Sequence, residues 1–96
     1  MSAQRPAATP TLLLDDEKVR ITRWDFAPGA ETGHHVHGMD YVVVPMTNLT
    51  LQLEEPGGSR TVTTPAGAAY RRDAGVEHNV INGGDTPMSF IEIEYK

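Results

Sequence analysis

The chain has 96 residues, 39% of them hydrophobic and 22% charged, enough for one core and too apolar for a disordered segment. Eight basic against thirteen acidic residues give a net charge of −5, and no stretch gathers Lys and Arg, which argues against a nucleic-acid or anionic-membrane partner. Cysteine is absent, so disulfides, thiolate metal sites and a cysteine nucleophile are excluded, and any metal chemistry must use nitrogen and oxygen donors.

Met1 to Pro10 is rich in Ala, Thr and Pro and lacks the apolar core of a signal peptide. It reads as a flexible tail, leaving residues 11–96 as a single β-barrel domain. No window approaches the roughly 18 apolar residues of a membrane helix, the richest being Tyr41 to Met46, so a cytoplasmic protein with no membrane partner is expected.

From there, short runs of β-branched and aromatic residues recur between turn clusters, about eight in all, as in a sandwich or barrel of short antiparallel strands. Leu12 to Leu14 precedes a turn at Asp15-Asp16-Glu17. Val19 to Phe26 is a longer strand ending at Pro28-Gly29, with Trp24 and Phe26 on one face as core or dimer contacts. His34 to His37 is a short extended piece, and Tyr41 to Val44 an apolar run. Leu49, Leu51 and Leu53 alternate with Thr50, Gln52 and Glu54, the period-two signature of a strand with one wet face. Pro56 to Ser59 forms a hairpin turn into Arg60 to Thr64. Asn82-Gly83-Gly84-Asp85 forms another between Glu77 to Ile81 and Met88 to Tyr95. In the last strand Ile91, Ile93 and Tyr95 share one face, Glu92 and Glu94 the other. No window holds a 3.6-residue apolar period over ten positions, and nine Gly with seven Pro interrupt the chain. The fold class is all-β.

All four histidines lie in two places: His34, His35 and His37, then His78. In an extended strand His35 and His37 point the same way, about 7 Å apart along the chain, so both reach one ion. Strands distant in sequence face each other across a barrel interior, which makes His78 the third ligand. Neutral imidazole suits Fe, Zn, Ni and Cu, and three of them leave open positions for water or substrate. His34, on the opposite face, is expected at the surface or in a supporting hydrogen bond.

These residues fall on two ordered motifs. Gly29 and His35-Val36-His37 match G-x5-H-x-H-x3,4-E, and Gly67, Gly75, His78 and Asn82 match G-x5-P-x-G-x2-H-x3-N without a gap. Over Pro28 to Asn82 the chain resembles the cupin superfamily, and its wording resembles small bacterial cupins linked to β-alanine degradation. The resemblance implies a double-stranded β-helix, or jelly-roll, barrel. It also implies a divalent metal ion (Fe, Zn, Ni or Mn) on His35, His37 and His78, and a homodimer, for which Leu12 to Leu14 offers a packed or exchanged strand.

Two positions depart from the motifs. Asp73 replaces the proline, which alters a turn. The motif's glutamate position is taken by Tyr41 or Val42, and the nearest acid is Asp40. On a regular strand Asp40 points outward and Tyr41 inward; a bulge at Gly38-Met39 would bring Asp40 in instead. Three neutral ligands would leave the ion's full charge on the site and favour an anionic or chelating small-molecule substrate. Tyr41 is then either a pocket hydroxyl or a buried ring. One of Arg71 and Arg72 faces inward to bind a carboxylate, unless both reach solvent near the strand end. Asn82 is expected to be structural. The resemblance then implies a mononuclear metalloenzyme, dioxygenase-like, acting on a small carbonyl or carboxylate compound, with a non-catalytic metal-dependent binding or accessory protein as the alternative.

Overall fold

Residues 4–96 are described by the structure, a computed structural model. Among them run β1 (Thr9–Asp15), β2 (Val19–Phe26), β3 (His35–Val36), β4 (Tyr41–Pro45), β5 (Leu49–Glu55), β6 (Gly58–Thr64), β7 (Tyr70–Arg72), β8 (Glu77–Asn82) and β9 (Met88–Tyr95). They form two antiparallel sheets, a five-stranded one in the order β1-β2-β9-β4-β7 and a four-stranded one in the order β3-β8-β5-β6. The described residues contain no helix, and so none long and apolar enough to cross a membrane. The expected all-β jelly roll is the observed architecture.

Alternation decides which side chains lie between the sheets. In β5, Leu49, Leu51 and Leu53 are buried while Thr50, Gln52 and Glu54 face outward, and in β4 Tyr41, Val43 and Pro45 are buried. Phe26 of β2 and Phe90 of β9 meet in the core with ring centroids 5.4 Å apart, and Trp24 tilts against Phe26 at 6.3 Å. Trp24 and Phe26 are therefore interior residues. The β5–β6 hairpin forms as expected, Glu55 pairing with Gly58 across Pro56-Gly57.

Two expectations fail. The chain is held down earlier than residue 11: Glu31 N donates to Pro6 O at 2.9 Å, Ala8 N donates to Glu31 O at 2.8 Å, and Ala8 is buried. Of the expected tail, Met1 to Ala3 lies outside the described residues. Residues 6–10 are drawn in because their backbone pairs with the Glu31 segment and with β2.

The turn at Asn82 to Asp85 closes no hairpin either. β8 pairs with β3 and β5 in one sheet, and β9 pairs with β2 and β4 in the other, so the turn carries the chain between sheets. Asn82 makes this crossing rigid. Its Nδ2 donates to Thr86 O at 2.8 Å, with longer contacts to Phe26 O and Ala27 O, and its Oδ1 accepts from Gly84 N at 3.0 Å. Gly29 N donates to Asn82 O at 3.0 Å from a left-handed conformation, φ 78°, which favours glycine there and joins the two motifs.

Replacing the buried Asn82 with Ala strips partners from Thr86 O and Gly84 N at once. An Asn82→Ala variant is expected to lose about 1–3 kcal/mol of stability, read as a lower urea midpoint at unchanged slope, with no corresponding loss for the exposed Asp85→Ala.

Candidate metal centre

β3 and β8 place the histidines. His35 pairs directly with His78 across the two strands, and the pairing continues past β3, His37 N donating to Val76 O at 2.8 Å and Gly75 N to His37 O at 2.7 Å. Gly75 adopts φ 96° to turn the chain into β8. The loop before His35 is fixed by Asn79, whose Oδ1 accepts from Gly33 N at 3.0 Å and whose Nδ2 donates to Glu31 at 2.7 Å and Glu54 at 3.1 Å.

His37 and His78 are buried and His35 is partly buried. Their Nε2 atoms converge, His35 to His37 at 2.9 Å and His37 to His78 at 3.1 Å. His35 Nδ1 lies 2.8 Å from Gly33 O; a carbonyl can only accept, so Nδ1 carries a proton and Nε2 is the nitrogen turned to the cluster. Burial, reinforced by the neighbouring His35, pushes His37 down to about 4 and His78 to about 3, which keeps both neutral. His37 and His78, both neutral, have too few N–H groups to bridge every close pair in the cluster. A cation resolves the arrangement, since metal–nitrogen bonds of about 2.0–2.1 Å separate adjacent ligands by roughly 3 Å. The three side chains fit a single metal ion, and could hold one.

Tyr41 packs its ring on His37, centroids 3.9 Å apart and planes 19° from parallel. It is 1% exposed, and its hydroxyl has no hydrogen-bond partner among the described residues. Burial raises its pKa, so the hydroxyl stays a donor. The ring is buried and Tyr41 lines the interior cavity. Asp40 is exposed and accepts from Ala74 N at 2.8 Å, outside the site; no bulge brings it in.

The two arginines part company. Arg72 pairs with Tyr41 across β4 and β7 and lines the same interior cavity, with Glu55 3.6 Å away. Arg71 pairs with the outward Val42, is exposed, and stands near Asp40 and Tyr95 on the outer face. The expectation that Arg71 serves the site is corrected by this parity. His34 is exposed and meets Glu77 at 2.8 Å on the surface.

One site residue escaped the sequence reading. Glu92 is 8% exposed and faces the interior, with Thr22 and Val43 as its cross-strand neighbours. Its Oε1 lies 3.7 Å from His37 Nε2, and its Oε2 accepts from Trp24 Nε1 at 3.1 Å. Desolvation pushes it up to about 7. The signal was parity: Glu92 shares its face with Met88 and Phe90, both buried.

The interior cavity beside the histidines has a volume of ≈ 30 Å³, room for about one or two water-sized groups. It shares Leu51, Leu53, Tyr70 and Arg72 with an open groove of ≈ 410 Å³, of the size that takes a small ligand.

A jelly roll with this histidine triad defines a cupin, and the chain belongs to the cupin superfamily. It is 56% identical over 92 residues, 96% of this chain and 97% of the other, to the beta-alanine degradation protein BauB of Pseudomonas aeruginosa. A crystal structure of a cupin domain from Bordetella pertussis Tohama I is 55% identical with a TM-score of 0.96, covering 99% of each chain. The polyketide cyclase RemF of Streptomyces resistomycificus shares the fold at 20% identity and a TM-score of 0.74, covering 97% of this chain and 70% of that one. No protein-family model matches the chain.

The buried groups set a pH dependence for the metal-free protein. His37 and His78 titrate at about 4 and 3 folded against 6.5 unfolded, so the unfolded state binds more protons below 6.5 and stability falls as pH drops through that range. Glu92, at about 7 folded against 4.5 unfolded, runs the other way. Two groups outweigh one, and the urea midpoint is expected to rise from pH 4.5 to 6.5 and then flatten or dip towards 7. A midpoint falling steadily across pH 4.5–6.5 would contradict the buried neutral imidazoles.

Proposed function

We propose that this chain is a mononuclear metal-dependent enzyme, dioxygenase-like, acting on a small carbonyl or carboxylate metabolite. We place it in β-alanine degradation, the process for which its Pseudomonas relative is named. The convergence of three imidazole Nε2 atoms at 2.9 and 3.1 Å carries this reading. Fe is the preferred ion, with Zn, Ni and Mn as the other candidates. A bound ion would supply Lewis acidity and open coordination positions for a substrate oxygen.

The chain's own residues do the rest. Arg72, at the junction of groove and cavity, binds a carboxylate through its guanidinium and fixes which end of the substrate enters. Tyr41 offers a protonated hydroxyl with no competing partner among the described residues, suited to an oxygen of the bound substrate. Leu51, Leu53 and Phe90 keep the cavity wall apolar, which strengthens both interactions by excluding water. The ≈ 30 Å³ of the inner cavity favours a second reading, a metal-bearing binding or accessory protein that admits a reactive group without turning it over.

A second copy of this chain belongs to the proposal. All seven residues of β1 are exposed, Leu12, Leu13 and Leu14 among them, on a free edge of the five-stranded sheet. Sedimentation equilibrium is expected to return twice the chain mass.

Elemental analysis of the purified protein is expected to give close to one metal per chain, falling to background in a His35→Ala, His78→Ala double variant; equal content in both would refute the site. With the protein loaded anaerobically with Fe(II), oxygen uptake is expected on addition of a small carboxylate or β-dicarbonyl. Micromolar binding without uptake for every class tested would select the accessory reading. For the ligand that binds, Arg72→Ala should weaken affinity about tenfold or more, while Arg71→Ala leaves it unchanged.

A further inference from the structure

We propose that Glu92 is the carboxylate ligand of the metal centre, taking over from β9 the place that the first motif assigns to the strand after His37. The proposal rests on the metal-centre reading above and goes further by naming a ligand that neither motif contains.

Four observations carry it. Glu92 is a carboxylate 8% exposed with Thr22 and Val43 as its cross-strand neighbours, and a buried acid needs a compensating partner. Its two oxygens have different surroundings. Oε2 accepts the indole N–H of Trp24 at 3.1 Å, while Oε1, without a hydrogen-bond donor among the described residues, lies 3.7 Å from His37 Nε2. One oxygen on an ion and the other on a fixed N–H is the usual arrangement of a ligating carboxylate, whose outer bond sets its orientation.

Distance supports the same assignment. The imidazole nitrogens stand 2.9 and 3.1 Å apart, and Oε1 needs to close by less than about 1 Å to join them at the roughly 3 Å spacing of adjacent ligands. Rotation about the terminal torsion of a glutamate, which is soft, supplies that movement.

The topology supplies the fourth observation. Tyr41 on β4 pairs with Glu94 on β9, and Val43 pairs with Glu92, so Glu92 is the diagonal neighbour of Tyr41 on the adjacent strand. Both enter the barrel from the same sheet, about 5 Å apart in the pairing direction. With Tyr41 stacked on His37, the motif position supports an imidazole and the carboxylate arrives one strand over. A ligand set of three imidazoles and one carboxylate lowers the net charge of a divalent site from +2 to +1.

Co(II) provides the test, because its visible absorption reports ligand type and number. The full-length protein is titrated with Co(II) in competition with a chelator. Glu92→Gln, which preserves shape and removes the charge, is expected to bind at least tenfold more weakly, with an altered ligand-field spectrum. Glu92→Asp, which shortens the reach, is expected to fall between Gln and wild type. Affinity and spectrum unchanged in Glu92→Gln, with His35→Ala failing to bind, would overturn the assignment and leave the triad standing. Unchanged binding in His35→Ala would overturn the metal reading itself. If Glu92→Gln does not fold, Glu92→Asp and Trp24→Phe, which frees Oε2, decide the question instead. A wild-type spectrum in both also overturns the proposal.

Discussion

The barrel interior is arranged around one unfavourable contact, the His37 imidazole nitrogen held about 3 Å from those of both His35 and His78, with His37 and His78 buried. Left to themselves these rings would turn towards solvent, protonate and separate. The fold prevents this by direct pairing of His35 with His78 and by the backbone bonds that tie His37 to Val76 and Gly75. Tyr41 adds a stacked ring that fixes the plane of His37, and Gly33 O accepts the Nδ1–H of His35. Each support serves a ligand lone pair more directly than it serves packing, which is the usual sign of stability given over to a site.

The outer supports follow from the same constraint. Asn79 sits beside His78 in sequence but works on the opposite side of the strand, bonding Gly33, Glu31 and Glu54. Arg5 bridges those two glutamates at 3.3 and 3.5 Å, so the early chain is bound to the loop that carries His35. The surface pairs themselves are worth little in isolation. Their effect here is geometric: they restrain the Glu31–Gly33 segment, and with it the register of β3. Asn82 does the same for the end of β8, closing the crossover to β9.

How far the sequence could be read depended on whether a residue's fate was local. Leu49, Leu51 and Leu53 declare their face by alternation, and Pro56-Gly57 declares a hairpin, because both are properties of adjacent residues. The histidine spacing and the motif glycines were legible for the same reason. The turn at Asn82-Gly83-Gly84-Asp85 has equally strong local chemistry, yet the partner of β8 is β5, a choice made by Leu51 and Leu53 meeting Asn82 and Val80 across the sheet. Residues 6–10 read as a tail because their anchor, Glu31, is distant and polar. Arg71 and Arg72 could not be separated on a strand of three residues; pairing with Tyr41 and Val42 decides between them. Glu92 was obscured because β9 lies between β2 and β4 and carries apolar residues on both faces, so Ile91 and Ile93 competed with Met88 and Phe90 for the role of core.

The loss of the motif glutamate and the burial of Glu92 are best understood together. A tyrosine at position 41 gains a large apolar burial and a stacked contact with His37, but it strips the motif strand of its negative charge. Arg72 has Glu55 beside it, but an interior with a divalent ion and no carboxylate of its own would be poor in negative charge in a medium where unbalanced charge is expensive. Glu92 corrects this from the neighbouring strand, and Trp24 holds the correction in place through a single indole N–H. Val43, its cross-strand partner, is small enough to let the carboxylate lean towards His37. Tyr41, Glu92 and Trp24 therefore behave as a unit: any one of them alone at its position would be a conflict between local preference and site, and the three together are consistent.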